Sequence, residues 1–423
     1  MNNGNSGILK TIGPGVLYAA TAVGASHLVQ STRAGANYGL SLLFLILLTY
    51  IAKYPAFRFG AQYASTTGKS LLHGYSDQGK WATATYIVIA LGTMFAAVPA
   101  VTLITAGLAK VAFGLPISTF AISVLILGGC TAILIAGGYH LLDRLVKVLM
   151  VVLALATLVA TCLILPKINW SESALLLPRH IHRDEVFFVV ALLGMMPSSV
   201  DISVWHSLWS VAKADDSAHR PTLRESLLDF HIGYAGAFVL AVCFVLLGTA
   251  LMYHTGIAFE SGAAGFAAQL IALYKQALGD WSEMLIGIVA VAVMFSTVLA
   301  GLDGYPRAAV SLARIYRRKE RPRGNAAAPM REPVYVTTLI ALVLGSIFIL
   351  YVFVTSLKLV IDVASTILFL FAPVIAWLNH RVMTAKGFPS AARPGRGLLA
   401  LSMIGVIWMT AFSVYFLYLK FST

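Results

Sequence analysis

Residues 13–33 read GPGVLYAATAVGASHLVQSTR, a stretch that starts as an apolar helix and then turns polar. Gly24, Ser26, His27 and Gln30 fall in its second half, where a helix crossing a membrane would still be inside the hydrocarbon. Polar groups at that depth are expensive and tend to mark substrate or ion pathways. The pattern predicts a membrane-crossing helix that is interrupted near its middle.

A second stretch, residues 193–207, has the same character and reads LGMMPSSVDISVWHS. Pro197 has no backbone N–H and its ring clashes with the preceding turn, so we expect a helix to break there. Ser198, Ser199 and Asp201 follow at once, and Asp201 is the one carboxylate predicted to lie in the middle of a span. In lipid, the backbone groups freed by such a break need a partner from the protein, from water or from a ligand.

Two interrupted helices in corresponding places are the best sequence indication of a transporter binding site. They correspond here if the chain consists of two five-helix repeats of opposite orientation followed by one extra helix. The alternative is a pair of helices that are kinked by proline and glycine and packed through small residues. Because polar side chains accompany both interruptions, we favour the transporter interpretation.

The composition of the 423-residue chain agrees with a membrane location, since 59% of the residues are hydrophobic and only 11% are charged. Soluble domains are about 45–50% apolar and about 25% charged, and they could not cover this much apolar surface. A soluble enzyme, a disordered chain and a disulfide-rich secreted domain are therefore excluded. The sequence also has no nucleophile–base set and no cofactor-binding loop, so we predict neither an enzyme nor a bound cofactor.

Eleven segments are apolar and long enough to cross a bilayer, which takes about 20 residues. They predict an all-α integral membrane protein of one domain, residues 1–423, with repeat one at about 11–165, repeat two at about 186–377 and the extra helix at about 398–418. With boundaries good to about three residues, the predicted spans are 11–32, 40–59, 83–113, 118–136, 145–165, 186–211, 230–253, 284–302, 334–354, 359–377 and 398–418.

The basic residues predict which side of the membrane each loop faces. With the N-terminus inside, about three quarters of the 30 lysine and arginine residues fall on the cytoplasmic side, as the positive-inside rule requires. Lys53 and Arg58 are counted there, at the expected inner end of the second span. We predict a multi-pass plasma-membrane protein with a cytoplasmic N-terminus and an extracytoplasmic C-terminus. The net charge of +13, including the basic run at 314–323, then reflects topology, and no nucleic-acid partner is expected.

The first stretch continues as SHLVQSTRAGANYG over residues 26–39. With the Gly-Pro-Gly at 13–15, it resembles the first span of the Nramp (natural resistance-associated macrophage protein) divalent-metal transporters, which has Gly-Pro-Gly, a broken Asp-Pro-Gly-Asn and then Gly-Ala-x-Tyr-Gly. Met196 and Pro197, followed by His206 and Ser207, are similar to that family's sixth span. The resemblance implies the LeuT-type fold of sodium-coupled amino-acid transporters, with two inverted five-helix repeats, helices 1 and 6 broken, and alternating access.

The positions that hold metal in that family differ in this chain. The family's first-span Asp, Pro, Gly and Asn fall on Gly24, Ala25, Ser26 and His27, so its metal-binding carboxylate and carboxamide are both absent. The sixth-span methionine is kept as Met196. The third span, acidic in the family, has no acid here. The chain therefore looks like a divergent member, and neither the family's metal site nor its proton route transfers residue by residue.

A divalent cation of the manganese, magnesium or iron class is the favoured substrate, bound at a rebuilt site. Hard ions prefer oxygen ligands, whereas softer ions also accept nitrogen and sulfur. The direct metal ligands are predicted to be Asp201, His27 and Met196. The whole set of predicted substrate-binding residues is Gly24, Ser26, His27, Gln30, Met196, Ser198, Ser199 and Asp201.

The alternative substrate is a small organic or anionic solute carried on the same scaffold. One carboxylate is little charge for a dication that must shed water, whereas the free N–H groups at the start of each half-helix favour an anion. His27 and Arg33 would add donors, and Asp201 would then pair with one of them or bind a coupling proton. His206 and Arg33 are predicted to act in coupling or gating. In either case the partners are the lipid bilayer and a small ion or solute.

Two further acidic residues have simple predicted partners. Asp303 is expected to pair with Arg307 at the cytoplasmic end of the eighth span. Asp362 is expected to pair with Lys358, four residues earlier on the same helix, because side chains at that spacing are neighbours.

Overall fold

The computed structural model describes residues 14–136, 139–170, 183–216, 220–253, 255, 260, 262–317, 330, 332–353 and 356–422. Over these residues the regular structure is helical. The α-helices are α1 Pro14–Ala22, α2 Thr32–Tyr38, α3 Leu43–Thr67, α4 Leu71–Asp77, α5 Lys80–Ala112, α6 Thr119–Ala136, α7 Tyr139–Ile164, α8 Arg183–Met195, α9 Ile202–Asp216, α10 Leu223–Met252, α11 Ala263–Leu278, α12 Ser282–Tyr316, α13 Pro333–Phe353, α14 Leu357–Thr384 and α15 Arg396–Phe421.

Nine helices within the described ranges are long and apolar enough to cross a membrane: α3, α5, α6, α7, α10, α12, α13, α14 and α15. This confirms the predicted all-α membrane class. Residues 1–13 and most of the basic run at 314–323 lie outside the described residues. The N-terminal orientation and the topological role of that run therefore stay predictions.

The first and sixth predicted spans are the ones that the structure divides into shorter segments. α1 and α2 are joined through a π-helical turn at Ser26–Ser31 and together form the first broken helix. α8 and α9 are separated by residues 196–201 and form the second broken helix. The second interruption follows from Pro197, which cannot donate a backbone hydrogen bond. The first is smaller than predicted, because only Val23 and Gly24 leave helical geometry before the π-helical turn begins.

Glycines hold both ends of the first broken helix against α10. A Cβ atom built on Gly233 would lie 2.2 Å from the carbonyl oxygen of Gly15, and one on Gly35 would lie 2.0 Å from that of Val245. Only glycine permits two helix backbones to approach this closely. The opposite side of the first broken helix is left to face the second broken helix and α12.

Two helices extend further than hydropathy predicted, and this corrects two predictions. α12 continues to Tyr316, so Asp303 lies inside the helix and is fully buried, and Asp201 is not the one buried carboxylate within a span. α3 continues to Thr67, so Lys53 lies mid-helix and is also fully buried, not at the cytoplasmic end. Both helices persist through charged positions because those charges have polar partners within the protein.

Candidate functional site

A cavity of about 60 Å³ lies between the two broken helices. It has room for a few water molecules or for one ion with part of its water shell. Six lining side chains carry hydroxyl groups and the remainder are apolar or aromatic, so no charged side chain of the described residues faces the space. The lining residues are Thr21, Ala22, Ala25, Ser26, Ala97, Val98, Val101, Met195, Ser198, Ser199, Ile202, Trp205, Thr297, Val298, Gly301, Tyr305 and Leu368.

Ser26 connects the two interruptions across this cavity. Its Oγ lies 2.7 Å from the Ala22 carbonyl oxygen and 3.3 Å from the Pro197 carbonyl oxygen on the second broken helix. Gly24 lets α12 come close, since a Cβ there would stand 3.1 Å from Cγ2 of Thr297. The structure therefore brings the predicted residues Ser26, Ser198 and Ser199 together at one cavity, with Gly24 beside it.

Asp201 lies directly behind the cavity wall, just before α9 begins. Its Oδ2 accepts hydrogen bonds from Thr93 Oγ1 at 3.0 Å and from the hydroxyl of Tyr305, a lining residue, at 3.1 Å. Its Oδ1 is buried and has no hydrogen-bond partner among the described residues. A buried polar atom without a partner requires an explanation such as a bound ion, a water or a proton. Asp201 is thus the group near the cavity best suited to attract a cation.

His27 points away from the cavity, toward α3 and α10. Its Nδ1 lies 2.7 Å from Ser26 Oγ, and its Nε2 lies 2.9 Å from both the Tyr50 hydroxyl and the Ala237 carbonyl oxygen. Because both ring nitrogens contact protein groups, a ligand role would require these contacts to be exchanged. His27 as a metal ligand stays a prediction.

Met196 and His206 also lie outside the cavity lining. The Met196 sulfur lies 3.9 Å from Ser31 Oγ, and the neighbouring Met195 lines the cavity instead. His206 is fully buried, with its ring centroid 5.9 Å from that of Tyr18, and its Nδ1 has no partner among the described residues. Met196 as a ligand and His206 as a coupling group therefore stay predictions.

Gln30 and Arg33 form a separate polar cluster that joins α2 to α14. Arg33 donates to Asp362 Oδ1 and to Gln30 Oε1, each at 2.9 Å, and its guanidinium lies 4.9 Å from the centre of the Phe188 ring on α8. Gln30 in turn donates to Ser365 Oγ at 3.4 Å. These contacts place Gln30 away from the cavity, and the gating role of Arg33 stays a prediction.

The partner predicted for Asp362 is wrong, because Asp362 pairs with Arg33 on another helix and not with Lys358. We expect the Arg33→Ala and Asp362→Ala substitutions to be non-additive by about 1 kcal/mol or more, because the Arg33 side chain is only 7% exposed and loses its partner either way. Thermal unfolding of both single variants and the double variant measures this coupling. Lys358→Ala is the control and should change little; strictly additive losses would contradict the pairing.

Lys53 is a candidate functional residue that was not predicted from the sequence. It is fully buried, and its Nζ donates to the carbonyl oxygens of Leu193 at 2.7 Å, Gly194 at 2.9 Å and Met196 at 2.8 Å. The available signal was a lysine within an otherwise apolar stretch, but its partners lie about 140 residues away in sequence. The structure places the Lys53 amino group at the interruption of the second broken helix.

Asp303 pairs with Arg307, as predicted, and both of its carboxylate oxygens already accept hydrogen bonds from the protein. Arg307 binds both of its carboxylate oxygens at 2.9 Å, while Trp209 Nε1 and the Tyr335 hydroxyl donate to it at 3.0 and 2.9 Å. A carboxylate with this many partners stabilises the packing of α9, α12 and α13. Asp303 is therefore a buried carboxylate with a structural role, with which the less fully hydrogen-bonded carboxylate of Asp201 can be compared.

The described residues contain no group of three or more His, Cys, Asp or Glu side chains that could together hold a metal. Any dication at the cavity would therefore rely on hydroxyl, carbonyl and water oxygens around a single carboxylate. Such oxygen-rich, partly hydrated coordination is typical of hard cations.

Two sequence comparisons concern almost the whole chain. A family model described as "Natural resistance-associated macrophage protein-like" (Nramp) matches residues 15–419. A protein of Pasteurella multocida (strain Pm70), described as uncharacterized, is 31% identical over 421 residues, which cover 96% of this chain and 91% of the relative.

The fold is similar to those of solved transporters. A manganese transporter of Eremococcus coleocola superposes with a TM-score of 0.70 at 14% identity, covering 98% of this chain and 87% of that one. Mhp1, a nucleobase-cation-symport-1 family transporter, gives 0.58 at 12% identity, with 96% and 92% covered. A Na⁺-coupled sialic acid symporter gives 0.57 at 14% identity, with 96% and 88% covered. At these identities the similarity is one of fold.

Proposed function

The chain belongs to the Nramp family of membrane transporters, and from that premise we propose that it carries a divalent metal cation across the plasma membrane by alternating access. Manganese, magnesium and iron are the candidate ions. The family membership and the fold shared with a manganese transporter support this substrate class. The cavity between the broken helices is where we place the ion.

We further propose that the chain is one domain with eleven spans, the nine long helices plus the two broken ones, arranged as two inverted five-helix repeats and one extra helix. The N-terminus would be cytoplasmic and the C-terminus extracytoplasmic. The positions of the two interruptions support this arrangement, since they fall in the first and sixth spans and adjoin one cavity.

The observation that carries the metal proposal is the unpartnered Oδ1 of Asp201 behind a hydroxyl-lined cavity. An ion about 4 Å from this carboxylate would gain on the order of 4 kcal/mol per unit charge at an effective dielectric constant near 20. The Ser26, Ser198 and Ser199 hydroxyls would hold the ion or its remaining waters. His27 and Met196 stay predicted ligands that would reach the ion only after exchanging their present contacts.

Uptake by the purified protein in liposomes tests this proposal. We expect saturable uptake of Mn²⁺, Mg²⁺ or Fe²⁺ above that of protein-free liposomes, because each accepts oxygen ligands. Liposomes containing an Asp201→Ala protein are the matched control and should resemble empty ones. If none of the three ions is transported or raises the unfolding temperature of the wild-type protein, metal transport is the wrong assignment.

A small organic or anionic solute is the second candidate, and it is favoured by a cavity whose described lining residues carry hydroxyl and apolar groups and no charge. A ligand that binds only the folded protein stabilises it by RT ln(1 + [L]/Kd), where [L] is the free ligand concentration, and so raises its unfolding temperature. Thermal-shift screening against metals and small metabolites therefore separates the two candidates. Stabilisation by a metabolite and by no metal would establish the second.

A further inference from the structure

The end of α8 leaves a set of backbone carbonyls without their usual partners. In a continuous helix the Leu193 carbonyl would accept from residue 197, but Pro197 has no N–H to give. The carbonyl of Gly194 lies in the last turn of α8 and that of Met196 just past its end, where helical acceptors are unpaired. All three oxygens converge on the Nζ atom of Lys53, at 2.7 to 2.9 Å.

This cluster holds its charge without a carboxylate. An ammonium group has three donors, and here three carbonyl oxygens take one each. No acidic side chain among the described residues forms an ion pair with Lys53. The compensation comes from the negative end of the α8 dipole, equivalent to about half an elementary charge. Converging carbonyls are also how proteins replace the water shell of a bare monovalent cation.

We propose that the carbonyls of Leu193, Gly194 and Met196 form a monovalent-cation site whose permanent occupant is the Lys53 ammonium. The tethered charge holds the interrupted end of α8 in place, so this end requires no free Na⁺ or K⁺. Without the lysine side chain, the site takes a small monovalent cation from solution, and a primary ammonium ion fits it best. The inference does not depend on which substrate the transporter carries.

The distances favour an ammonium ion over a divalent metal at this position. Separations of 2.7 to 2.9 Å are those of N–H···O hydrogen bonds. Mg²⁺ needs oxygens at about 2.0–2.1 Å and Ca²⁺ at about 2.3–2.6 Å, so the three carbonyls would have to contract around either ion. The site is therefore separate in chemistry from the hydroxyl-lined cavity.

Lys53→Ala removes the atoms from Cγ to Nζ, which correspond to n-propylammonium. In a buffer whose cation is choline, we expect the unfolding temperature of this variant to fall by about 10 °C, because a buried charge cluster has lost its centre. Added n-propylammonium should restore about half of the lost unfolding temperature, and the effect should saturate. Added K⁺ tests whether an alkali metal ion can occupy the site. Neutral n-propanol should restore nothing, and Lys53→Met, which fills the space without charge, should not respond.

Three outcomes would overturn the proposal. One is a Lys53→Met protein as stable as the wild type. Another is a folded Lys53→Ala protein that neither n-propylammonium nor K⁺ stabilises, and the third is equal recovery with n-propanol. If Lys53→Ala does not fold, Lys53→Arg and Lys53→Met test the proposal instead. Arginine keeps a charge and hydrogen-bond donors, so Lys53→Arg should retain more folded protein than Lys53→Met. Equal losses in the two variants would contradict the site.

Discussion

Metal uptake should fall at least about 100-fold when Asp201 is replaced by asparagine, which corresponds to about 2.7 kcal/mol. The substitution keeps the size of the side chain and an oxygen that can accept from Thr93 and Tyr305, so it removes little except the charge. If Oδ1 attracts the ion, a neutral amide at that place cannot replace it. Uptake of radioactive or fluorescently detected Mn²⁺ into liposomes, normalised to folded protein, is the measurement.

Folding should survive this substitution, which separates a role in binding from a role in stability. Asp201 has no cationic partner in the described part of the chain, and an isolated charge at this depth is costly. The unfolding temperature of Asp201→Asn should therefore be unchanged or higher. Asp303→Asn is the matched control, because Asp303 is equally buried but bound to Arg307, and its replacement should lower that temperature. Uptake by Asp201→Asn at more than about a third of the wild-type rate would refute the role of Asp201.

The broken helices could be predicted because their cause is local. Pro197 ends α8 through its own missing N–H, and polar residues at membrane depth mark both interruptions without knowledge of any neighbour. The size of the first interruption could not be predicted. A π-helical turn at Ser26–Ser31 keeps the backbone mostly hydrogen-bonded, and no proline requires it.

The π-helical turn also contains predicted site residues that point away from the cavity. A π-helix closes its hydrogen bonds over five residues instead of four, so it changes the direction in which the following side chains point. Ser26 lines the cavity, while His27 contacts Tyr50 and Gln30 contacts Arg33. An α-helical register cannot anticipate these directions.

Lys53 and Asp362 show a second limit, which is set by distance along the chain. The sequence predicts a helix end at Lys53 because Lys53 and Arg58 flank Pro55, whereas the carbonyl partners of Lys53 lie at the end of α8. The i,i+4 spacing predicts a partner for Asp362 on its own helix, whereas its partner Arg33 is more than 300 residues away in sequence. Both misassignments concern charges whose compensation comes from another helix.

Gly35→Ala, on the first broken helix, should cause a large loss of folded protein. The new methyl group would lie 2.0 Å from the Val245 carbonyl oxygen and 2.9 Å from the Thr249 nitrogen, and neither backbone atom can rotate away. α2 and α10 would have to separate by about 1 Å or more, at a cost at or above the roughly 1–3 kcal/mol typical of overpacking. Gly248 lies at the same contact between α2 and α10, since a methyl group added there would lie 2.3 Å from the Thr32 carbonyl oxygen.

α10 holds the first broken helix at both ends, so separating α10 from α2 should also disturb the cavity. The Gly35→Ala/Gly248→Ala double variant should yield almost no folded protein. Size-exclusion profiles and unfolding temperatures in detergent measure this. Gly236→Ala is the matched control on α10, since its methyl group meets nothing within 4 Å. Alanine there should stabilise the helix by about 0.5–1 kcal/mol or leave it unchanged. If Gly35→Ala unfolds at the same temperature as Gly236→Ala, the glycine contact does not determine how the first broken helix is held.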